Sequence, residues 1–119
     1  MPATMTANTR QVNEVTIVDL SGTITRQEGS VELRDTIKRL TGEGRRLLLL
    51  NLHGVSAIDP SGLGELVSAF STLRDQGGEL KLLNLSESVK DLIRVTKLHK
   101  VFDVRDDEAA AVQAFSKSA

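Results

Sequence analysis

Two spacings of apolar residues alternate along the chain: short runs in which nearly every position is apolar, and longer stretches in which apolar residues return every three or four positions. The first clear run is Val15–Leu20, β-branched over Val15, Thr16, Ile17 and Val18 and closed by Ser21-Gly22, which predicts a strand. A shorter strand around Arg10–Asn13 is expected to pair with it, with Asn13-Glu14 as the turn. Over Gly29–Leu40, Leu33, Ile37 and Leu40 fall on one helical face, with Ser30 as the expected N-cap and Gly42 and Gly44 as stops. Periodicity does not separate strand from helix in the run Leu47–Leu52, but its shortness and the glycines before it favour a central strand covered on both faces, followed by a loop over His53–Ile58. A helix then begins at Asp59-Pro60 and runs to about Gln76, with Leu63, Leu66, Val67, Phe70 and Leu73 at helical spacing. Leu80–Leu85 predicts another strand, Ser86 caps a helix carrying Val89, Leu92 and Ile93, and Val101–Val104 predicts a last short strand. Asp106-Asp107-Glu108 opens a final helix with Ala111, Val112 and Phe115 inward, its acidic start matching the positive end of the helix dipole.

Strands first, then a regular alternation of helix and strand, imply an α/β fold: one domain with a mixed, mostly parallel sheet of four to five strands and about four helices. Residues 1–9 are expected to be a flexible N-terminal tail, 10–116 the domain and 117–119 a short tail. In such sheets the binding surface lies beyond the carboxyl ends of the strands, which directs attention to His53–Gly64.

Within that segment, Asp59-Pro60-Ser61-Gly62-Leu63-Gly64 carries the most information. Asp59 suits an N-cap and Pro60 the first helical position, where a missing N–H costs nothing. Glycine inside a helix costs about 1 kcal/mol relative to alanine, so two glycines in the opening turns call for a reason. Three reasons are open: tight packing against a neighbouring loop, a phosphate or nucleotide held at the helix N-terminus, or a low-relief surface for docking a protein. The nucleotide pattern is incomplete, because Val67 stands where the dinucleotide fingerprint needs its third glycine and no lysine stands where a P-loop needs one.

Composition narrows the choice. A net charge of −1 lacks the basic excess of a nucleic-acid binder, and the aromatics, 3% and all phenylalanine, supply no base-stacking platform. There is no cysteine, which excludes disulfides and thiolate metal sites and fits a reducing compartment. No apolar run approaches the roughly 20 residues of a membrane span, and the first nine residues lack signal-peptide character. The expectation is therefore a cytoplasmic protein with no direct nucleic-acid contact and no membrane insertion. His53 and His99 read as surface residues rather than metal ligands. Ser61 lacks the elbow motif of a nucleophilic serine. No catalytic residue, metal site or cofactor is expected.

From Val15 to Phe115 the chain resembles the STAS domains of anti-sigma factor antagonists. The matching pieces are Val18-Asp19-Leu20-Ser21-Gly22, Leu47-Leu48-Leu49-Leu50-Asn51-Leu52, Ile58-Asp59-Pro60-Ser61-Gly62-Leu63-Gly64, Gly77-Gly78-Glu79-Leu80-Lys81-Leu82-Leu83-Asn84, and Leu98 through Phe102. The resemblance implies a non-enzymatic partner switch, in which the antagonist binds an anti-sigma factor with serine protein kinase activity and so releases a sigma factor. It places the partner-binding surface on Thr25, Asp59, Pro60, Ser61, Gly62, Leu63 and Gly64. Two positions depart from the family pattern. Pro60 stands where phosphorylated members carry the acceptor hydroxyl, leaving Ser61 as the candidate phosphorylation site, and Thr25 stands where many members have an acidic residue. The alternative is a STAS scaffold or subunit of another signalling or lipid-transport complex that is not phosphorylated. A small enzyme or nucleotide-binding protein using Ser61–Gly64 is a third class. An exposed edge strand near the N-terminus also offers a route to a weak homodimer.

Overall fold

The computed structural model describes residues 5–115. In chain order its elements are β1 (Met5–Val12), β2 (Val15–Ile24), α1 (Ser30–Gly42), β3 (Leu47–Ile58), α2 (Pro60–Asp75), β4 (Glu79–Leu83), α3 (Glu87–Val95), a 3₁₀ turn (Leu98–Lys100), β5 (Asp103–Arg105) and α4 (Glu108–Ala114). The five strands form one sheet in the order β1-β2-β3-β4-β5, with β1 antiparallel to β2 and every other pair parallel. This is the α/β architecture expected from the alternation of spacings. The strand order never reverses, so right-handed crossovers carry α1, α2 and α3 to the same face.

The main core fills that face, built from β-strand residues such as Val18, Leu48, Leu50 and Leu82 against Leu33, Leu66, Leu73 and Ile93 of the three helices. Among the described residues the opposite face is covered by α4 alone, with Ala111 and Phe115 over Val15, Ile17, Leu49 and Leu83. Leu48, Leu49 and Leu50 are all buried because β3 is central and covered on both faces, the reason its sequence is a continuous apolar run.

The α4 face is held by polar contacts as well. Arg10 on β1 donates Nε to Asp19 Oδ2 at 2.7 Å and its terminal nitrogens to both carboxylate oxygens of Glu108, at 2.9 and 2.6 Å. Asn51 Nδ2 donates to Asp19 Oδ1 at 2.8 Å and Asn84 Nδ2 to Asn51 Oδ1 at 3.4 Å, so a polar chain crosses β1, β2 and β3 and ends at the residue after β4. On the far side, Lys81 Nζ is 2.8 Å from Asp103 Oδ2 and 5.1 Å from the ring centre of Phe115. Lys81 is only 7% exposed, a burial its alternating neighbours Leu80 and Leu82 do not announce.

Several boundaries differ from expectation. Met5–Thr9, expected as tail, belong to β1, which pairs with β2 from Met5↔Gly22 to Val12↔Val15. Its Thr and Asn residues have no strong strand pattern of their own; the length of β2 supplies the template, and Met5 is buried in the core. The rest of the predicted N-terminal tail and the 117–119 tail lie outside the described residues. The expected loop His53–Ile58 is strand: β3 continues beside β2 through Ser21↔Gly54 and Ile24↔Ile58 after two register shifts. Those irregularities break the period-two pattern that would reveal a strand. The cap of α1 is Gly29, with Ser30 inside the helix; Gly29 has φ 98°, and a Cβ there would overlap the Thr23 carbonyl oxygen. β4 ends at Leu83 instead of Leu85, turned by Asn84 at φ 60°, and β5 starts at Asp103 after the 3₁₀ turn. Ser86 caps α3 as expected, accepting from Val89 N–H at 3.4 Å.

Asp103 accepts from Arg105 Nε at 2.7 Å and from Lys81 Nζ at 2.8 Å, and these bonds, Arg105 foremost, hold its pKa at about 2 against 3.8 unperturbed. A carboxyl whose folded pKa is depressed contributes stability in full above the unfolded value and loses it as pH falls through the folded one. The stability of the protein should therefore drop between about pH 4 and pH 2, and urea unfolding of Asp103→Asn across that window should show a shallower fall than the parent. Equal slopes in the two proteins would remove Asp103 from the acid response.

Candidate functional site

The extension of β3 brings Ile58 beside Ile24 and so sets the start of α2 against the loop that follows β2. Asp59 joins the two. Its Oδ1 accepts from Gly62 N–H at 2.9 Å, capping α2, and its Oδ2 accepts from Arg26 N–H at 2.9 Å, 33 residues back along the chain. Asp59 N–H donates to the Ile24 carbonyl at 3.2 Å. The hydrogen bond from Arg26, followed by that from Gly62, holds the Asp59 carboxyl below its ordinary pKa.

The loop itself is a tight turn. Thr25 N–H donates to the Glu28 carbonyl at 2.6 Å, and Thr25 Oγ1 lies 3.1 Å from both the Glu28 carbonyl and the Glu28 N–H. Ser30 Oγ, buried in the first turn of α1, is 3.4 Å from Ser61 Oγ in the first turn of α2. Farther along the same two helices, Arg34 Nε donates to Glu65 Oε2 at 3.2 Å. The two helices thus start side by side at the carboxyl end of the sheet.

Of the seven residues expected on a docking surface, Pro60 and Gly64 are exposed, and Thr25, Asp59 and Ser61 are partly exposed. Gly62 and Leu63 are buried, which corrects their assignment to that surface. A Cβ on Gly62 would overlap the Ile24 carbonyl oxygen and press on Ile58, so this glycine serves packing within the chain. Gly64 has open space around it, and its missing side chain leaves the helix backbone bare. Sequence reasoning also missed Val31, 48% exposed beside Ser30, and Arg26, whose backbone completes the Asp59 link. Neither carries a local signal, since each matters only through the residue it sits next to in space.

The helix end is poorly suited to a phosphate. Its Gly62 N–H is already used by Asp59, and a second anion would meet that carboxylate. A cleft of about 640 Å³ does lie at the carboxyl ends of β4 and β5, lined by residues including His53, Asn84, Lys90 and Arg105 and by none of the seven. His53 and His99 are both exposed.

The two glycines should separate cleanly on substitution. Gly62→Ala should cost about 1–3 kcal/mol through overpacking, whereas Gly64→Ala should stabilise by about 0.5–1 kcal/mol through helix propensity. Urea denaturation of the two variants measures both, and a neutral Gly62→Ala would contradict the packing role.

Comparison with known proteins bears on this geometry. A family model described as the STAS domain matches residues 6–111. The anti-sigma-B factor antagonist of Bacillus subtilis (strain 168) is 37% identical over 81 residues, spanning 68% of this chain and 73% of that protein. An anti-sigma factor antagonist from Mycobacterium paratuberculosis has the same fold, with a TM-score of 0.85 at 20% identity over 96% of each chain. The Bacillus cell fate determinant SpoIIAA, solved in its phosphorylated form, superposes with a TM-score of 0.69 at 20% identity, covering 91% of this chain and 98% of that one. Among the described residues, no helix is long and apolar enough to cross a membrane. The chain belongs to the STAS domain family, and the curated relatives it matches there are anti-sigma-B factor antagonists.

Proposed function

We propose that this protein is an anti-sigma factor antagonist that binds an anti-sigma factor of the serine-kinase type, releasing a sigma factor in exchange. The docking surface is the end of the molecule formed by Thr25, Asp59, Pro60, Ser61 and Gly64, with Val31 at its margin. The observation that carries this reading is the pinning of the loop after β2 to the start of α2 by Asp59, which leaves Pro60 and Gly64 exposed on a rigid end. The strand order does not reverse beside these residues, and the cleft at the carboxyl ends of β4 and β5 includes none of them, so among the described residues they border no switch-point crevice of the kind in which small ligands bind. A broad surface of low relief suits a macromolecule. The names of its homologues, anti-sigma-B factor antagonists, supply the partner class.

Ser61 is the one hydroxyl in the first turn of α2 and is the modification point in this reading. A phosphate adds about −1.5 to −2 charges. On Ser61 it would break the contact with Ser30 and repel Asp59, so phosphorylation opposes docking. Pro60, at the position of the family's usual acceptor, favours a second version in which the protein docks constitutively, as an antagonist or as a STAS subunit of another complex. Weak pairing of two copies along the edge strand β1 is compatible with either version.

The test is a calorimetric titration against an anti-sigma kinase recovered from the native cell, followed by incubation with ATP and mass spectrometry. Gly64→Glu should weaken binding at least about tenfold, about 1.4 kcal/mol, while Gln113→Glu on α4 leaves it unchanged. Phosphate on Ser61 supports the switch, and its absence with binding intact supports constitutive docking. Unaltered binding by Gly64→Glu would sink the surface assignment.

A further inference from the structure

A second surface shares no residue with the first. Between α3 and the edge strand β5 lies a groove of about 330 Å³, formed by Leu85, Ile93 and Val104 beneath and by Lys90, Arg94 and His99 around them. No carboxylate lines it. It continues into the cleft at the ends of β4 and β5 through the shared residues Leu85, Lys90 and Val104, where Arg105 adds a further cation beside Glu87 and Asp106. Residues 87–101 hold four Lys or Arg side chains against two carboxylates, in a chain whose net charge is −1.

The cations of this groove are weakly engaged. Lys90 meets Glu87 at 3.7 Å and Arg94 meets Asp91 at 3.5 Å, both exposed neighbours on the same helix. Pairs of this kind contribute little and exchange readily for better partners. In the segments that flank the groove residues Arg94 and His99 in sequence, Val95 is 78% and Val101 44% exposed, though neither lines the groove. Lys97, in the turn joining Arg94 to His99, has φ 64°, a conformation in which glycine ends a helix at lower cost. A lysine in that place adds charge to the turn between the groove residues Arg94 and His99 at the expense of stability.

We propose that the groove binds an extended acidic segment of a partner protein. One aliphatic or aromatic side chain of that segment rests on Leu85, Ile93 and Val104, and its carboxylates meet Lys90, Arg94 and His99. The cationic rim selects acidic residues, and the concave apolar floor selects a peptide over a bilayer, whose flat surface cannot enter a groove.

The probe is a fluorescein-labelled peptide alternating glutamate and leucine, titrated by anisotropy and followed in amide spectra of the labelled protein. Expected are saturable binding that weakens as salt rises, amide shifts at Leu85, Ile93 and Val104, and a loss of roughly tenfold in Arg94→Glu. The replaced side chain is exposed, and circular dichroism checks that the variant stays folded. Lys97→Gly should raise the melting temperature while weakening the peptide, a combination that a purely structural lysine would not produce. Gly64→Glu should bind the peptide as the parent does, which keeps this surface distinct from the one at α2. The proposal is overturned by absence of saturable binding, by equal affinity of Arg94→Glu, or by binding to phosphatidylglycerol vesicles that the peptide does not displace.

Discussion

One carboxylate organises the carboxyl end of this molecule. Asp59 divides its two oxygens between the N–H of Gly62 at the start of α2 and the N–H of Arg26 in the loop after β2. The first bond caps a helix, which any good N-cap residue can do. The second reaches a segment remote in sequence, and it is the reason the loop and the helix present a single rigid surface. The same arrangement places negative charge at the positive end of α2, where a phosphate would otherwise be welcome. The site is thereby biased away from anion binding.

The sheet sets the context for that end. An order that never reverses sends three crossover helices to one face and leaves the other to α4, a helix of seven residues. So short an element cannot cover a whole sheet face with apolar side chains. Its contacts are accordingly mixed: Ala111 and Phe115 over an aliphatic strip, Glu108 tied to Arg10, and the Lys81–Asp103 pair next to Phe115. Lys81 and Asp103 satisfy each other, so a buried ammonium group is tolerated close to the core. The second edge of the sheet, β5, stands beside the cationic groove, so the two proposed surfaces occupy different parts of the fold.

Local codes were readable and long-range ones were not. The β-branched run of β2, the continuous apolar centre of β3, the Asp59-Pro60 start of α2, the Ser86 cap and the acidic opening of α4 each depend on residues within a few positions of one another. β1 depends instead on a partner strand that holds weakly strand-like residues in place. The second half of β3 was hidden by two register shifts, and the cap of α1 by a glycine that the Thr25–Glu28 turn folds back against Thr23. The two glycines of α2 look alike in the sequence, yet one is packed under Ile24 and the other faces open space.

The order of elements and the fold class were thus determined by sequence alone, because hydrophobic spacing and capping act over one or two turns or a few strand residues. Only the tertiary structure decided which site residues are accessible, what Asp59 holds, and that Lys90, Arg94 and His99 border one apolar groove. Those properties arise where segments distant in the chain meet, and a hydrogen bond or an overlap between them depends on distances that no local pattern encodes.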